Sequence, residues 1–369
     1  MDTDIIIIGG GLSGLALADR LQQLGLDFVL LEARERFGGR VLSKEIDGAA
    51  FDLGPAWFWP GQPRMAALVD VLRLNIFEQF SDGDIVSEDR LGQVRRGMGF
   101  ASMTGSYRVQ GGLERLTIGL AARLPTASLK LNSAAIALTR DEDAVVVQIK
   151  SPSGSRVIRS SRAVLAVPPR IADATIEFAP ALPQKVRNTL AAIPTWMAGQ
   201  AKIVALYERP YWREGGLSGD AMSHLGPLTE IHDASPHKGG PFALFGFVGA
   251  PPGVRKRYRQ EMVQAAKDQL GRLLGNEMRN PKQMIVHDWS EELRVATSAD
   301  CVPAAHHPSY GRLENLEGLW DGRLLFAGTE TATQFGGYLE GALEAAEHIA
   351  ARLLAGHSMR SGRHIHGPD

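Results

Sequence analysis

A single cysteine, no long apolar run and almost no net charge set the outer limits of this 369-residue chain. With Cys301 alone, no intrachain disulfide can form, which suits a reducing compartment. No apolar stretch approaches the ~18 residues of a membrane span, and the first strand begins so close to Met1 that a signal peptide is not expected. A soluble cytoplasmic protein without a membrane partner is the expectation. A formal charge of −1 gives no electrostatic case for nucleic acid. Metal binding is not expected either, because His306 and His307 have no cysteine, histidine or carboxylate around them at ligand spacing. Aromatic residues are only 7% of the chain, yet Trp57, Phe58 and Trp59 stand together. Apolar content is plentiful: 44% hydrophobic against 22% charged residues supports a sizeable core, most simply as two domains.

Ile5-Ile6-Ile7-Ile8 is a β-branched run of the kind found in a strand buried on both faces, and Gly9-Gly10-Gly11-Leu12-Ser13-Gly14 follows at once. The pattern is GxGxxG on Gly9, Gly11 and Gly14. The first glycine permits a tight turn and the second lets a pyrophosphate approach the backbone. The third lets a helix over Leu12–Leu24 pack on the strand, its N-terminus aimed at the phosphates. Gly25 is placed to end that helix, Asp27–Leu31 reads as a second strand, and Glu32 at its end as the acceptor for ribose hydroxyls. Glycine-rich turns alone are common, but strand, helix, strand and terminal carboxylate in this order predict a dinucleotide site. Glu32-Ala33-Arg34-Glu35-Arg36-Phe37-Gly38-Gly39-Arg40 adds cations and a paired glycine for a second length of phosphate, which favours FAD over NAD. Arg40, Gly38 and Gly39 are better phosphate candidates than Arg34 or Arg36.

Near the other end stand Gly328-Thr329-Glu330-Thr331-Ala332-Thr333 and Gly336-Gly337-Tyr338-Leu339-Glu340-Gly341-Ala342. With these two ends, the chain resembles the flavin-containing amine oxidases of the monoamine oxidase type, which follow the ribose acid with a similar ExRxxxGGR. The resemblance continues through Asp52-Leu53-Gly54-Pro55-Ala56-Trp57, Arg108-Val109-Gln110-Gly111-Gly112-Leu113, Ala166-Val167-Pro168-Pro169 and Lys202 before Pro210-Tyr211-Trp212. It implies an α/β protein with an FAD-binding Rossmann-like domain of glutathione-reductase type and a second α+β substrate domain built on a mixed sheet. Cofactor contacts are implied at Gly9, Gly11, Leu12, Ser13, Gly14, Glu32, Ala33, Arg34, Gly38, Gly39 and Arg40. Gly54, Pro55, Ala56, Trp57, Ala135, Val167 and Trp289 follow, and the last segment supplies Gly328, Glu330, Gly337, Tyr338, Leu339 and Ala342.

Two side chains are implied to be catalytic. Lys202 matches the family lysine that holds a water against flavin N5 and assists the reaction with oxygen; the plain alternative is a lysine snorkelling from an apolar strand. Tyr338 matches one of two aromatic residues that flank the substrate amine; the alternative is core packing. The resemblance also places Glu330 at the ribityl and phosphate region and the N–H of Leu339 at flavin O2.

Three departures from the family carry consequences. The second aromatic position falls on Ala299. Ser298 stands where some members attach the flavin through cysteine, so noncovalent FAD is expected and Cys301 reads as a small packing residue. Trp57, Phe58, Trp59 and Trp289 can rebuild an aromatic lining from other directions. A long, mostly helical segment that family members place between the equivalents of Phe80 and Arg108 is missing. The cavity is therefore expected to be more open, with a second copy of the chain a candidate for the missing wall.

The organisation read from these elements is discontinuous. An FAD domain comprises 1–77, 110–185 and 295–356, a substrate domain 78–109 and 186–294, and 357–369 is a disordered tail. A helix over 111–124, a strand over 129–138, a hairpin over 145–159 and a buried strand over 163–167 belong to the first. Strands over 201–207 and 242–248 and a helix over 254–274 belong to the second. The chain ends with a strand over 322–327 and a helix over 339–354. The reading is an oxidoreductase that takes hydride from the carbon beside an amine nitrogen to flavin N5, after which the imine hydrolyses and oxygen is reduced to hydrogen peroxide. A flavin dehydrogenase or desaturase with another acceptor, and a noncatalytic flavin-binding subunit, remain as alternatives.

Overall fold

The computed structural model describes residues 2–97, 99, 101–302 and 306–361. The strand Thr3–Ile8 lies inside an eight-stranded sheet, parallel to Phe28–Leu31 on one side and to Gly154–Leu165 on the other. A strand covered on both faces can be apolar at every position, and all four isoleucines are buried. Ile5 and Ile7 face a core shared with the helices Leu12–Gln23 and Leu339–Ser361. Ile6 and Ile8 face the other layer, where the helices Pro169–Thr175 and Gln184–Ala192 supply Ala172, Val186 and Leu190.

Gly154–Leu165 is one 12-residue strand, so the expected hairpin arm and the expected separate strand over 163–167 are continuous. Its first half pairs antiparallel with Ala144–Ser151, and its end runs parallel to Leu324–Phe326. One strand thus connects the hairpin, the first strand and the C-terminal segment. The strand expected over 129–138 is broken instead. Leu129–Lys130 pairs with Phe28–Leu31 and Ala134–Asp141 with Ala144–Ser151, and Asn132 at φ 50° turns the chain between them.

A second, mixed sheet has seven strands in the order Gln283–Asp288, Ala201–Tyr207, Phe242–Val248, Leu228–Asp233, Leu217–Ser223, Asp84–Glu88 and Val94–Gly97. Only the pairing of Leu217–Ser223 with Asp84–Glu88 is parallel. A hairpin over 84–97 occupies the short segment between Phe80 and Arg108. The helix expected over 254–274 is two helices, Pro252–Arg257 and Arg259–Leu274, broken at Tyr258.

Alternation along Ala201–Tyr207 decides what this sheet does. Ala201, Ile203, Ala205 and Tyr207 pack with Met262, Ala266 and Leu270 of the long helix, whereas Val204 and Leu206 meet Ala49, Phe51 and Leu53. Lys202 shares the parity of Val204 and is thereby presented to the 52–57 segment. The C-terminal helix continues to Ser361, past the His357 where a disordered tail was expected to begin; residues 362–369 of that tail lie outside the described residues. Among the described residues no helix is long and apolar enough to cross a membrane.

Candidate active site

The glycine turn and its ribose acid are tied to each other. Gly10 donates its N–H to one Glu32 oxygen at 2.8 Å and Arg34 donates its own to the other at 2.9 Å, so a buried carboxylate is held across the turn. Gly14 has no room for a side chain, because a Cβ there would lie 1.9 Å from the Gly9 carbonyl oxygen. The helix that follows is capped by Gly11 with no side-chain partner and has no acid in its first turn. Its first N–H groups are left for an anion. Gly38 donates to the Gly10 carbonyl at 2.8 Å, and a Cβ on Gly39, whose φ is 58°, would lie 3.1 Å from Gly11 Cα. The second glycine pair therefore lies directly on the first turn. Ser13 Oγ donates to the Ala327 carbonyl, which closes the N-terminal helix onto the C-terminal strand.

One cavity collects most of the residues expected from the two ends. Gly9, Gly11, Leu12, Ser13, Glu32, Ala33, Arg34, Gly38, Gly39 and Arg40 line it, together with Gly54, Pro55, Ala56, Trp57, Ala135, Val167, Lys202 and Trp289. Gly328, Gly337, Tyr338, Leu339 and Ala342 complete the opposite wall. Gly14 and Glu330 lie behind the lining. Gly14 acts through packing, as its clash distance shows. Glu330 is fully buried with one carboxylate oxygen 2.8 Å from Arg40 Nη1, an ion pair whose angles are not those of a hydrogen bond. A carboxylate pointed at phosphates would be repelled, whereas one placed behind Arg40 fixes a cation that faces the cavity. Arg34 is already engaged within the protein: its guanidinium lies 2.9 Å from Glu292 and donates to the Gly39 carbonyl at 3.2 Å.

Lys202 is 4% exposed and does not snorkel out. Its Nζ donates to the Gly54 carbonyl at 2.5 Å and lies 4.3 Å from the centre of the Phe245 ring and 5.3 Å from that of Phe247. Burial lowers its pKa to about 7; the nearby Asp52 opposes this and Arg108 adds to it. Asp52 is itself pushed up by burial, although Ser43 and the Leu113 N–H donate to its carboxylate at 2.6 and 2.8 Å. Phe247 was not anticipated as a lining residue. Its signal was there in the apolar alternation of 242–248, whose register sets Phe247 opposite Lys202.

The aromatic cluster divides by alternation. Trp57 and Trp59 line the cavity, whereas Phe58 turns into the core and bridges Tyr107 by backbone hydrogen bonds. Trp289 is fixed by its indole N–H, which donates to the Leu53 carbonyl at 2.9 Å. Tyr338 is 38% exposed and stands edge-on to Trp59 at 6.5 Å. His307, exposed to solvent on one side, lies flat against Tyr338, with ring centres 4.9 Å apart and planes 15° apart. Trp196 also lines the cavity, and its ring centre lies 4.7 Å from that of this histidine. Among the described residues, neither cysteine nor histidine lines the cavity.

The comparisons with known proteins agree with this geometry. A family model described as flavin containing amine oxidoreductase matches residues 87–354, and an NAD(P)-binding Rossmann-like domain model matches residues 7–72. The chain belongs to the flavin-containing amine oxidoreductase family. It is 25% identical to a probable flavin-containing monoamine oxidase A of Dictyostelium discoideum, over 95% of this chain and 97% of that protein. It is 24% identical to the flavin-containing amine oxidase B of Sus scrofa, over 95% of this chain and 86% of that protein. The alignment with the Dictyostelium protein runs to 452 positions, more than the 369 residues here, so that relative carries segments without a counterpart in this chain. Among solved structures, the cyclohexylamine oxidase of Brevibacterium oxydans superposes with a TM-score of 0.83 at 20% identity, covering 97% of this chain and all of that one. A putrescine oxidase bound to putrescine gives 0.80 at 21%, covering 96% and 99%. These two show the shared fold. As a family member the chain is an FAD-dependent oxidoreductase of the amine oxidase type. The uncapped helix terminus, the buried Glu32 and the cavity-facing Arg40 suit a dinucleotide of that kind.

Proposed function

We propose that this chain oxidises the C–N bond of a small amine, with release of a carbonyl product after imine hydrolysis and with oxygen as the electron acceptor. The observation that carries the reading is Lys202, a buried amine enclosed by aromatic rings and the Gly54 carbonyl within the cavity formed by the dinucleotide-binding segments. FAD, when bound, supplies the hydride acceptor. Glu32 holds its ribose, while Arg40 and the first N–H groups of the helix Leu12–Gln23 hold its phosphates. Trp57, Trp59, Trp289 and Tyr338 exclude water and orient the substrate. The apolar wall favours the neutral amine, the form able to give up hydride. Below about pH 7 Lys202 carries a proton and a positive charge where negative charge develops during the reaction with oxygen. A cytoplasmic location belongs to this reading, on the strength of the lone Cys301.

The direct test is anaerobic mixing of the holoenzyme with a panel of primary, secondary and cyclic amines. At least one should bleach the yellow cofactor in a saturable manner, while the corresponding alcohols leave it unchanged. Bleaching by a panel of unsaturated ring compounds and by none of the amines would favour a desaturase instead.

FAD is held without a covalent bond, because no cysteine or histidine among the described residues lines the cavity and Cys301 Sγ faces the Thr297 carbonyl at 3.8 Å. Acid precipitation should leave the yellow colour in the supernatant. Colour that stays with the pellet contradicts the assignment.

A further inference from the structure

A second cavity, about 540 Å³, opens on the other side of Asp52, away from the cofactor residues. Arg73, Arg108, Arg115, His237 and Lys238 line it, and no carboxylate is among the described residues that line it. Arg73, Arg115 and Lys238 are exposed and form no ion pair with any described residue. Elsewhere the chain regularly pairs its arginines, as it does Arg64 with Glu340 and Glu347, and Arg255 with Asp288. Arg108 forms the floor. It is 5% exposed, and its two terminal nitrogens donate to the carbonyls of Ser235 and Ala234 at 2.7 and 3.0 Å, so its charge is held in place, with the carboxylates of Asp52 and Asp233 acting on it from the protein side and no ion pair in contact. Beside it, Phe77 lies 5.1 Å from the His237 ring and 5.2 Å from the Arg108 guanidinium carbon.

Cations of like sign brought together in a concavity repel one another, and the arrangement is relieved by an anion that neutralises several at once. A single carboxylate would leave most of that charge uncompensated. Guanidinium groups match phosphate oxygens in pairs, a lysine adds a point charge, and the volume lies within the range of small-molecule sites. We propose that this cavity is a binding site for a phosphorylated small molecule carrying at least two phosphate charges, held by Arg73, Arg115 and Lys238 over the fixed charge of Arg108. The site is separate from the cofactor cavity, and the proposal stands whatever substrate the enzyme oxidises.

Calorimetric titration of the FAD-loaded protein with inorganic pyrophosphate at low ionic strength tests this, since the cofactor then occupies its own phosphate site. Saturable binding of one pyrophosphate per chain is expected. Arg73→Gln, Arg115→Gln and Lys238→Gln should each weaken it at least ~10-fold, and Lys185→Gln, on an exposed surface elsewhere, should leave it unchanged. The visible spectrum of each variant reports that fold and cofactor are intact. Absence of saturation, or equal binding by the triple Gln variant, overturns the site. Citrate binding as tightly as pyrophosphate overturns the phosphate assignment.

Discussion

Glu32→Ala should cost about 2–4 kcal/mol of FAD binding, roughly 30- to 1000-fold in Kd. The carboxylate takes the N–H groups of Gly10 and Arg34 and is 7% exposed, so its removal does more than take a charged acceptor away from the ribose hydroxyls. It leaves two backbone donors of the glycine turn unpaired at the place where the turn must approach a pyrophosphate. Glu32→Gln should be milder, since the amide oxygen can keep one of those bonds. Equilibrium dialysis followed by measurement of retained flavin distinguishes the variants. Equal retention by wild type and Glu32→Ala would move the ribose contact elsewhere.

The second large effect concerns Lys202. If its charge assists the reaction with oxygen, light-reduced Lys202→Met should recover its oxidised colour in air more than ~10-fold more slowly than wild type, a rise in barrier of more than ~1.4 kcal/mol. Anaerobic bleaching by an amine should change much less, because hydride departure depends mainly on geometry. The pH dependence follows from the depressed pKa: an amine titrating at about 7 is protonated below that value and neutral above it. The wild-type advantage should therefore shrink as pH rises past 7, while the Met variant shows no such step. Stopped-flow reoxidation needs no knowledge of the natural amine. Equal rates for the two proteins remove Lys202 from the oxygen step.

The parts of the fold that were legible in sequence are those whose residues answer to local rules. Ile5–Ile8 reads as a doubly covered strand because both neighbours are parallel and both faces carry helices, so no polar residue interrupts the run. The strands over 201–207 and 242–248 have the bounds expected of them. The hairpin over 84–97 escaped notice because it extends a sheet edge with mostly exposed residues, which leaves little hydrophobic alternation to detect. Gly154–Leu165 looked like two elements because its neighbours on one side change midway from antiparallel to parallel, a matter of tertiary pairing.

Within the site, motif spacing located Glu32, Gly38 and Gly39, whose partners are backbone groups of the adjacent turn. Glu330, a cofactor contact by resemblance, is fully buried with one oxygen 2.8 Å from Arg40, a pairing between distant segments that only folding settles. The aromatic surroundings of Lys202 and the His307–Tyr338 stack join residues distant in sequence; the alternation of 242–248 hints at the first, and no local period announces the second.

The central claim is that one cavity holds FAD and couples amine oxidation to oxygen. It is tested most directly by turnover in air with an amine that bleaches the enzyme, following amine, oxygen, hydrogen peroxide and carbonyl product together. One of each should be consumed or formed per catalytic cycle, and Lys202→Met should slow the whole cycle at limiting oxygen. Amine consumed only when an artificial electron acceptor is supplied, with no peroxide formed, would contradict it and make the protein a dehydrogenase.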